Sequence, residues 1–233
     1  MNDYDAIQRD VRRRDITRLC HFMQSRKLQH VLTQTQAILP TRQLQDRYPD
    51  LLDVTDTARL DGHLNHICCS VEYPNSWYFQ KVRERDHLFT DWVILCLDPA
   101  LLWEREALFS PRNAAAQHGA LLRSGWHGWQ ALFALQVAGA HGKMRRRTPQ
   151  MLACCPTDGQ AEVLIPDAIS QCYITAIIVQ NEKQARKEQV RLTCLKVNVS
   201  FTWIVAPTLF TRPSHWNELT RQGKRCDERK LVK

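Results

Sequence analysis

Gln160 and Glu162 stand two residues apart where the polar loop Cys155-Pro156-Thr157-Asp158-Gly159 runs into the apolar segment Ala161-Glu162-Val163-Leu164-Ile165-Pro166. Asp-Gly supplies turn chemistry, and the apolar run after it predicts a strand over residues 161–165. Side chains at i and i+2 of a strand share a face. An amide and a carboxylate are therefore expected to project together from a strand end, beside a loop that can touch a substrate.

His21 and Ser70 join this pair by their order along the chain. His21 falls near the end of a predicted strand over residues 16–22, and Ser70 falls within another over residues 66–71. Singly, each has an ordinary reading: a packed histidine, a packed strand serine, a glutamate facing water. On three strands, His21, Ser70 and Glu162 form an ordered polar set. Other chemistries lack their motifs. The chain has no GxGxxG, no GxxxxGK[ST] and no HExxH, which argues against a Rossmann dehydrogenase, a P-loop NTPase and a zinc peptidase. Nine cysteines include no CxxC. The adjacent pairs Cys68-Cys69 and Cys154-Cys155 are poorly suited to chelating one zinc, so no metal is expected. Apolar neighbours make buried free thiols in a reducing cytosol the expectation, and no cysteine has the context of a protease nucleophile beside His21.

With 44% hydrophobic and 24% charged residues, the composition is that of a soluble globular chain. No apolar run reaches the ~18 residues a membrane span needs. Met1-Asn2-Asp3-Tyr4-Asp5 lacks the basic and apolar regions of a signal peptide. A cytoplasmic location and a single domain over residues 1–233 are expected, with a core of about 15–223 and a basic tail over 224–233. A net charge of +8 permits a polyanionic partner. The charge is clustered at Arg12-Arg13-Arg14, at Lys143 with Arg145, Arg146 and Arg147, and at Lys224-Arg225 with Arg229-Lys230. The last cluster reads as a solvated tail. The middle one shortly precedes the Glu162 strand, where a nucleic-acid backbone could run.

These residues need a scaffold. Residues 1–14 read as a helix or loose arm, and 25–34 as a helix with Ser25 as its cap. Residues 40–57 are irregular, 77–85 read as a helix, 91–97 as an apolar strand and 101–108 as a short helix. Residues 110–148 read as a helix plus long loops. Strands follow at 173–179 and 192–199 around a charged helix at 182–188, and 201–207 continues the apolar core. The fold class is α+β, built on a largely antiparallel sheet with flanking helices.

The order and spacing of these pieces resemble the DarT family of DNA-modifying toxins, which are paired with DarG antitoxins. The matching pieces begin with Ile16-Thr17-Arg18-Leu19-Cys20-His21-Phe22 and Arg59-Leu60-Asp61-Gly62-His63, leading to Ile67-Cys68-Cys69-Ser70 and Tyr73-Pro74-Asn75. They continue with Thr90-Asp91-Trp92-Val93-Ile94-Leu95, Arg112-Asn113-Ala114-Ala115, Asp158-Gly159-Gln160-Ala161-Glu162-Val163-Leu164 and Val205-Ala206-Pro207. The resemblance implies an ADP-ribosyltransferase-like fold that takes NAD as donor, with no metal, and modifies thymine or guanine in single-stranded DNA. It implies a DarG-type macrodomain antitoxin as partner, and no membrane.

By the same resemblance Glu162 is the catalytic glutamate, stabilising the positive charge that grows as nicotinamide leaves. Arg59 serves both catalysis and NAD binding, and His21, Met23 and Ser70 line the NAD site. Gln160 contacts the acceptor base; separately, the charge of Arg145, Arg146 and Arg147 and their place shortly before the strand make them the residues expected to meet its phosphates. Met23 stands where related chains often carry Thr, and Ser70 where some carry Tyr. Trp126, Trp129 and Tyr78 are candidate platforms on which unpaired bases stack. An RNA or protein acceptor, or a non-catalytic basic nucleic-acid-binding domain, are the alternative readings.

Overall fold

The computed structural model of the chain describes residues 2–52, 59–85, 87–139, 142–197 and 201–231. Its strands, in chain order, are β1 (Leu19–Gln24), β2 (Ala37–Ile38), β3 (His66–Val71), β4 (Trp92–Leu97), β5 (Leu108–Ser110), β6 (Arg123–Ser124) and β7 (Gln136–Ala138). They continue with β8 (Met144–Arg146), β9 (Glu162–Pro166), β10 (Ile169–Ser170), β11 (Ile174–Val179), β12 (Thr202–Val205) and β13 (Arg229–Lys230). The helices are α1 (Asp3–Arg13), α2 (Thr41–Arg47), α3 (Ser76–Arg85), α4 (Leu101–Glu104), α5 (Gly125–Leu132), α6 (Glu182–Cys194) and α7 (Pro213–Arg221).

Among the described residues, nine strands form one sheet in the order β13-β12-β11-β4-β1-β3-β9-β5-β6. Every pairing in it is antiparallel except β11 with β12. The α+β class with a largely antiparallel sheet is therefore what the chain adopts. Strand β4 lies near the middle and is buried along its whole length, as expected of a strand covered on both faces. The parallel pair is joined by α6, which buries Gln184, Ala185, Glu188 and Leu192 at helical spacing.

That spacing explains one correction. The strand expected at 192–199 does not form over its first part, because Leu192 is the last core contact of α6, which runs on to Cys194; positions 198 and 199 lie outside the described residues. Strand β1 also starts later than expected, at Leu19. The backbone at Asp15 is left-handed (φ 55°) and turns the chain before the strand can begin. Residues 25–34 form a 3-10 turn (Ser25–Lys27) and a short π-helical turn (His30–Gln34) rather than a regular α-helix. Ser25 does not cap them. It is buried, its N–H donates to the Asp91 carbonyl (2.9 Å), and its own carbonyl accepts from Arg191 (2.7 Å). Only the first half of the helix expected at 101–108 forms, and Leu108 opens β5. Within 40–57 the structure shows α2, and residues 53–57 lie outside the described residues.

The C-terminal tail is held in place. Strand β13 pairs with β12, and the Arg18 guanidinium, buried under Tyr73, binds the Glu228 carboxylate through two nitrogens. Arg225 bridges Glu72 (2.8 Å) and Asp15 (2.5 Å), and Arg229 pairs with Glu182. The reading of this cluster as a solvated tail is corrected by these carboxylate partners. At the other end, Arg13 and Arg14 close on Asp10, which also accepts from Trp129 Nε1 (2.8 Å). Trp129 is fully buried and so is a core residue, not a base-stacking platform.

Candidate active site

Strands β1 and β3 pair only where they begin and end, Leu19 with Val71 and Cys20 with Ser70. Beyond that point β1 keeps its ladder with β4, and β3 keeps its ladder with β9. The sheet forks, and its two halves diverge. Backbone groups exposed at a fork need partners. His21 supplies one: its Nδ1–H donates to the Cys68 carbonyl across the gap (2.9 Å). That bond fixes the tautomer and leaves Nε2 as the acceptor. Desolvation, with Lys27 adding its charge, pushes the His21 pKa below the usual histidine range, so the ring is neutral near pH 7.

A cleft of about 210 Å³ opens at this fork. His21, Met23, Arg59, Ser70 and Glu162, expected to act together, all line it. Apolar walls come from Val31, Ile38 and Leu44, and Tyr78 completes one side, its ring 6.1 Å from that of Phe22. The cleft combines an extended apolar wall with a few convergent polar groups, the usual makeup of a small-molecule site.

Glu162 opens β9, opposite Ser110 on β5, and is buried. Its Oε1 accepts from Asn75 Nδ2 (2.8 Å) and its Oε2 from the Ala114 backbone N–H (2.7 Å). Asn75 is the residue that sequence reasoning missed. It caps α3, with Oδ1 accepting from Tyr78 N–H (3.3 Å), and its own N–H donates to Ser70 Oγ (3.1 Å). The signal for its position was present, since Asn just before a helical pattern is a strong N-cap. Its bond to Glu162 spans 87 residues, and no local pattern reports that. Ser70 also reaches the Cys20 carbonyl (3.5 Å), so its hydroxyl ties together the last paired residues of the fork.

Arg59 is more constrained than expected. Its guanidinium donates to Asp61 Oδ1 (3.2 Å), Thr41 Oγ1 (3.1 Å) and the His66 carbonyl (3.2 Å), and closely to the His63 carbonyl. Its backbone is left-handed (φ 36°). The side chain therefore shapes the cleft wall by gathering residues 59–66. Cys68 and Cys69 flank the site with thiol pKa values pushed up by burial and by the charge of Glu162.

Gln160 does not share a strand face with Glu162. The strand begins at Glu162, and Gln160 sits in a turn, its N–H donating to Asp158 Oδ1 (2.9 Å). It lines neither the cleft nor the second, smaller cavity. That cavity, about 50 Å³, lies on the other side of Ser70 and is lined by Trp77, Arg145, Asp158, Trp216 and Arg221 among others. The basic cluster separates accordingly. Arg145 reaches this cavity, and Arg146 is exposed on the β7–β8 hairpin. Arg147 is turned inward, donating to the carbonyls of Cys155 (2.7 Å), Leu152 (2.9 Å) and Ala153 (3.2 Å) beside the Phe133 ring. Trp126 is half-buried against the core, with its backbone N–H on Asp3 (3.0 Å).

The described residues contain no group of three or more His, Cys, Asp or Glu side chains able to hold a metal, and no helix long and apolar enough to cross a membrane. Among curated proteins none matches the chain. Among solved structures, Thermosipho africanus DarTG in complex with ADP-ribose is similar with a TM-score of 0.58 at 14% identity, covering 84% of this chain and 52% of that one. The chain thus spans about half the length of that protein. Thermus sp. 2.9 DarT in complex with ADP-ribosylated ssDNA is similar with a TM-score of 0.57 at 11% identity, covering 84% of this chain and 96% of that one. The same protein in complex with NAD+ gives a TM-score of 0.53 at 12% identity, covering 84% and 98%. At such identities the likeness is one of fold. Family membership rests on a stronger match: the family model described as "ssDNA thymidine ADP-ribosyltransferase, DarT" matches residues 20–211, and the chain belongs to the DarT family.

Proposed function

We propose that this protein transfers ADP-ribose from NAD to thymine in single-stranded DNA, with Glu162 as the catalytic carboxylate. One observation carries the reading: a buried glutamate at the start of β9, with both oxygens bonded, lines the cleft where β1 and β3 part. The family is that of ssDNA thymidine ADP-ribosyltransferases. Thymine is accordingly preferred over guanine as the acceptor.

NAD supplies the ADP-ribosyl group, with nicotinamide as its leaving group. The chain's residues do the rest. A neutral His21 accepts a ribose hydroxyl at Nε2, and Met23 and Ser70 line the donor site beside it. A carboxylate in a partly desolvated cleft interacts far more strongly with developing positive charge than it would in water. Glu162 acts there, stabilising the ribose carbon as its bond to nicotinamide breaks; the carbon then bonds to the thymine nitrogen, which gives up its proton to the carboxylate or to solvent. Arg59 holds the cleft wall through its four hydrogen bonds and so keeps the donor oriented. Arg145 and Arg146 meet phosphates of the acceptor strand, which position it without reading its bases. Arg147 anchors the loop before Glu162, and Gln160 is the loop residue assigned to the base. An unpaired base is reached without the cost of opening a duplex.

Residues 1–233 act as one unit in the cytoplasm, and a DarG-type macrodomain protein opposes the activity. The test is to incubate the protein with NAD and short oligonucleotides, then weigh the products. Single-stranded DNA containing thymine should gain the mass of one ADP-ribosyl group, and a strand without thymine should gain none. Modification of RNA or of protein alone would replace DNA as the acceptor. Absence of NAD turnover would leave only a binding domain.

A further inference from the structure

Glutamate has three rotatable side-chain bonds, so burial of Glu162 at the start of its strand does not by itself fix where the carboxylate points. A catalytic carboxylate must nevertheless be held close to its working geometry, because a displacement of about 1 Å can cost on the order of 100-fold in rate. In this chain the two oxygens of Glu162 are gripped from different elements, Oε2 by the Ala114 N–H and Oε1 by Asn75. Asn75 is itself fully constrained. Its Oδ1 accepts from Tyr78 N–H, its backbone carbonyl from Phe79 N–H (2.9 Å), and its backbone N–H donates to Ser70 Oγ. It is 1% exposed. The amide cannot flip, because a flip would turn its NH₂ toward the Tyr78 N–H and its oxygen toward a carboxylate.

We propose that Asn75 is a positioning residue for the transfer reaction: it transmits the fixed start of helix α3 to the Glu162 carboxylate and sets the direction in which that carboxylate faces the cleft. Ser70 stands one step behind, fixing the Asn75 backbone. This inference rests on Glu162 being the catalytic carboxylate and adds the residue that orients it, one that also stands in the cleft wall.

The two jobs of Asn75 can be separated. Serine is as good an N-cap as asparagine and lacks the amide that reaches Glu162, so Asn75→Ser keeps the cap and removes the donor. Single-turnover transfer at saturating NAD should fall roughly 10- to 100-fold in this variant. NAD affinity should fall much less than the transfer rate does, since both ends of the Asn75 amide are engaged by the protein, at Glu162 and at the Tyr78 N–H. The thermal midpoint should fall by a few degrees, the cost of one hydrogen bond lost from a buried carboxylate, with the fold retained. In a Glu162→Ala background the same change should cost nothing further, because residues that act as a unit are not additive. Asn75→Asp, which keeps the cap but sets a second carboxyl against Glu162, should also lose transfer and should lower the thermal midpoint further, because two buried carboxylates in contact repel or must share a proton. A transfer rate within about two-fold of wild type, or an equal further loss in the Glu162→Ala background, would overturn the inference. Crystal structures of the variants provide a readout that does not need activity: the Glu162 carboxylate should turn away from the Ala114 N–H. If it stays in place, Asn75 does not position it. If the wild type itself transfers nothing, the transferase reading fails, and the crystal structures still decide whether Asn75 orients Glu162.

Discussion

Gly159 shows how tightly the loop before Glu162 is built. The Asp158-Gly159 pair suggests a turn in which glycine is needed for a left-handed backbone, yet Gly159 has no positive φ. Glycine is required there for space. A Cβ at this position would lie 2.1 Å from Asn217 Oδ1 and 3.1 Å from a ring carbon of Trp77. Asn217 is not free to swing aside, because its Nδ2 donates to the Pro213 carbonyl (2.6 Å) and to Ser76 Oγ (3.1 Å). In Gly159→Ala, either Asn217 gives up those bonds or the loop moves. Two hydrogen bonds at about 1 kcal/mol each put the cost near 2 kcal/mol. For a chain of this size that is a drop of roughly 4–8 °C in thermal midpoint. The assay is urea unfolding of four proteins: wild type, Gly159→Ala, Asn217→Ala and the double variant. With the Asn217 amide removed, the alanine should fit, and its added cost should fall below about 0.5 kcal/mol. A cost under about 0.5 kcal/mol in the wild-type background, or the same full cost in both backgrounds, would refute the steric account.

Glu228→Ala should destabilise the protein by about 3 kcal/mol, because it strands the buried Arg18 guanidinium without its carboxylate; denaturant unfolding measures it. The basic hairpin should divide by function. Neutralising Arg145 and Arg146 together should weaken oligonucleotide binding on all sequences alike and flatten its dependence on salt, whereas Arg147→Ala should lower the thermal midpoint, since it removes a donor from three carbonyls. Acidification should destabilise the wild type more than His21→Gln. The folded-state pKa of His21 lies below its ordinary value of 6.5, so the unfolded chain takes up the proton first. The contribution is therefore intact above pH 6.5 and is lost as pH falls through the window beneath it. Paired unfolding titrations that run parallel from pH 7 to pH 5 would exclude this.

The middle of the sheet was legible because its strands announce themselves, whereas the short strands β5, β6 and β13 at its edges were not expected. Residues 66–71 and 92–97 are near-continuous apolar runs, and such runs bounded by turn residues read as buried strands. Glu162 was legible through its place at the mouth of such a run. What could not be read is what depends on distant partners. Arg147 lies beside Arg145 and Arg146, and nothing local distinguishes the one that turns inward to carbonyls from the two that do not. The C-terminal arginines look solvated until Glu72, Asp15 and Glu182 are brought to them from up to 210 residues away. Gln160 misled for a different reason: strand boundaries are uncertain by a residue or two, and the strand begins only at Glu162, leaving Gln160 in the turn before it, where alternation of faces does not apply. The grip of Asn75 on Glu162 is a tertiary contact between two segments that the sequence showed only separately.

The measurement that bears most directly on the account is the rate of ADP-ribose transfer to thymine-containing single-stranded DNA by wild type and by Glu162→Ala, with NAD affinity measured on both. The wild type should transfer, and the variant should lose on the order of 100-fold or more in rate while folding normally and keeping most of its affinity for NAD. Near-normal transfer by Glu162→Ala would contradict the assignment of the buried glutamate as the group that stabilises the transition state.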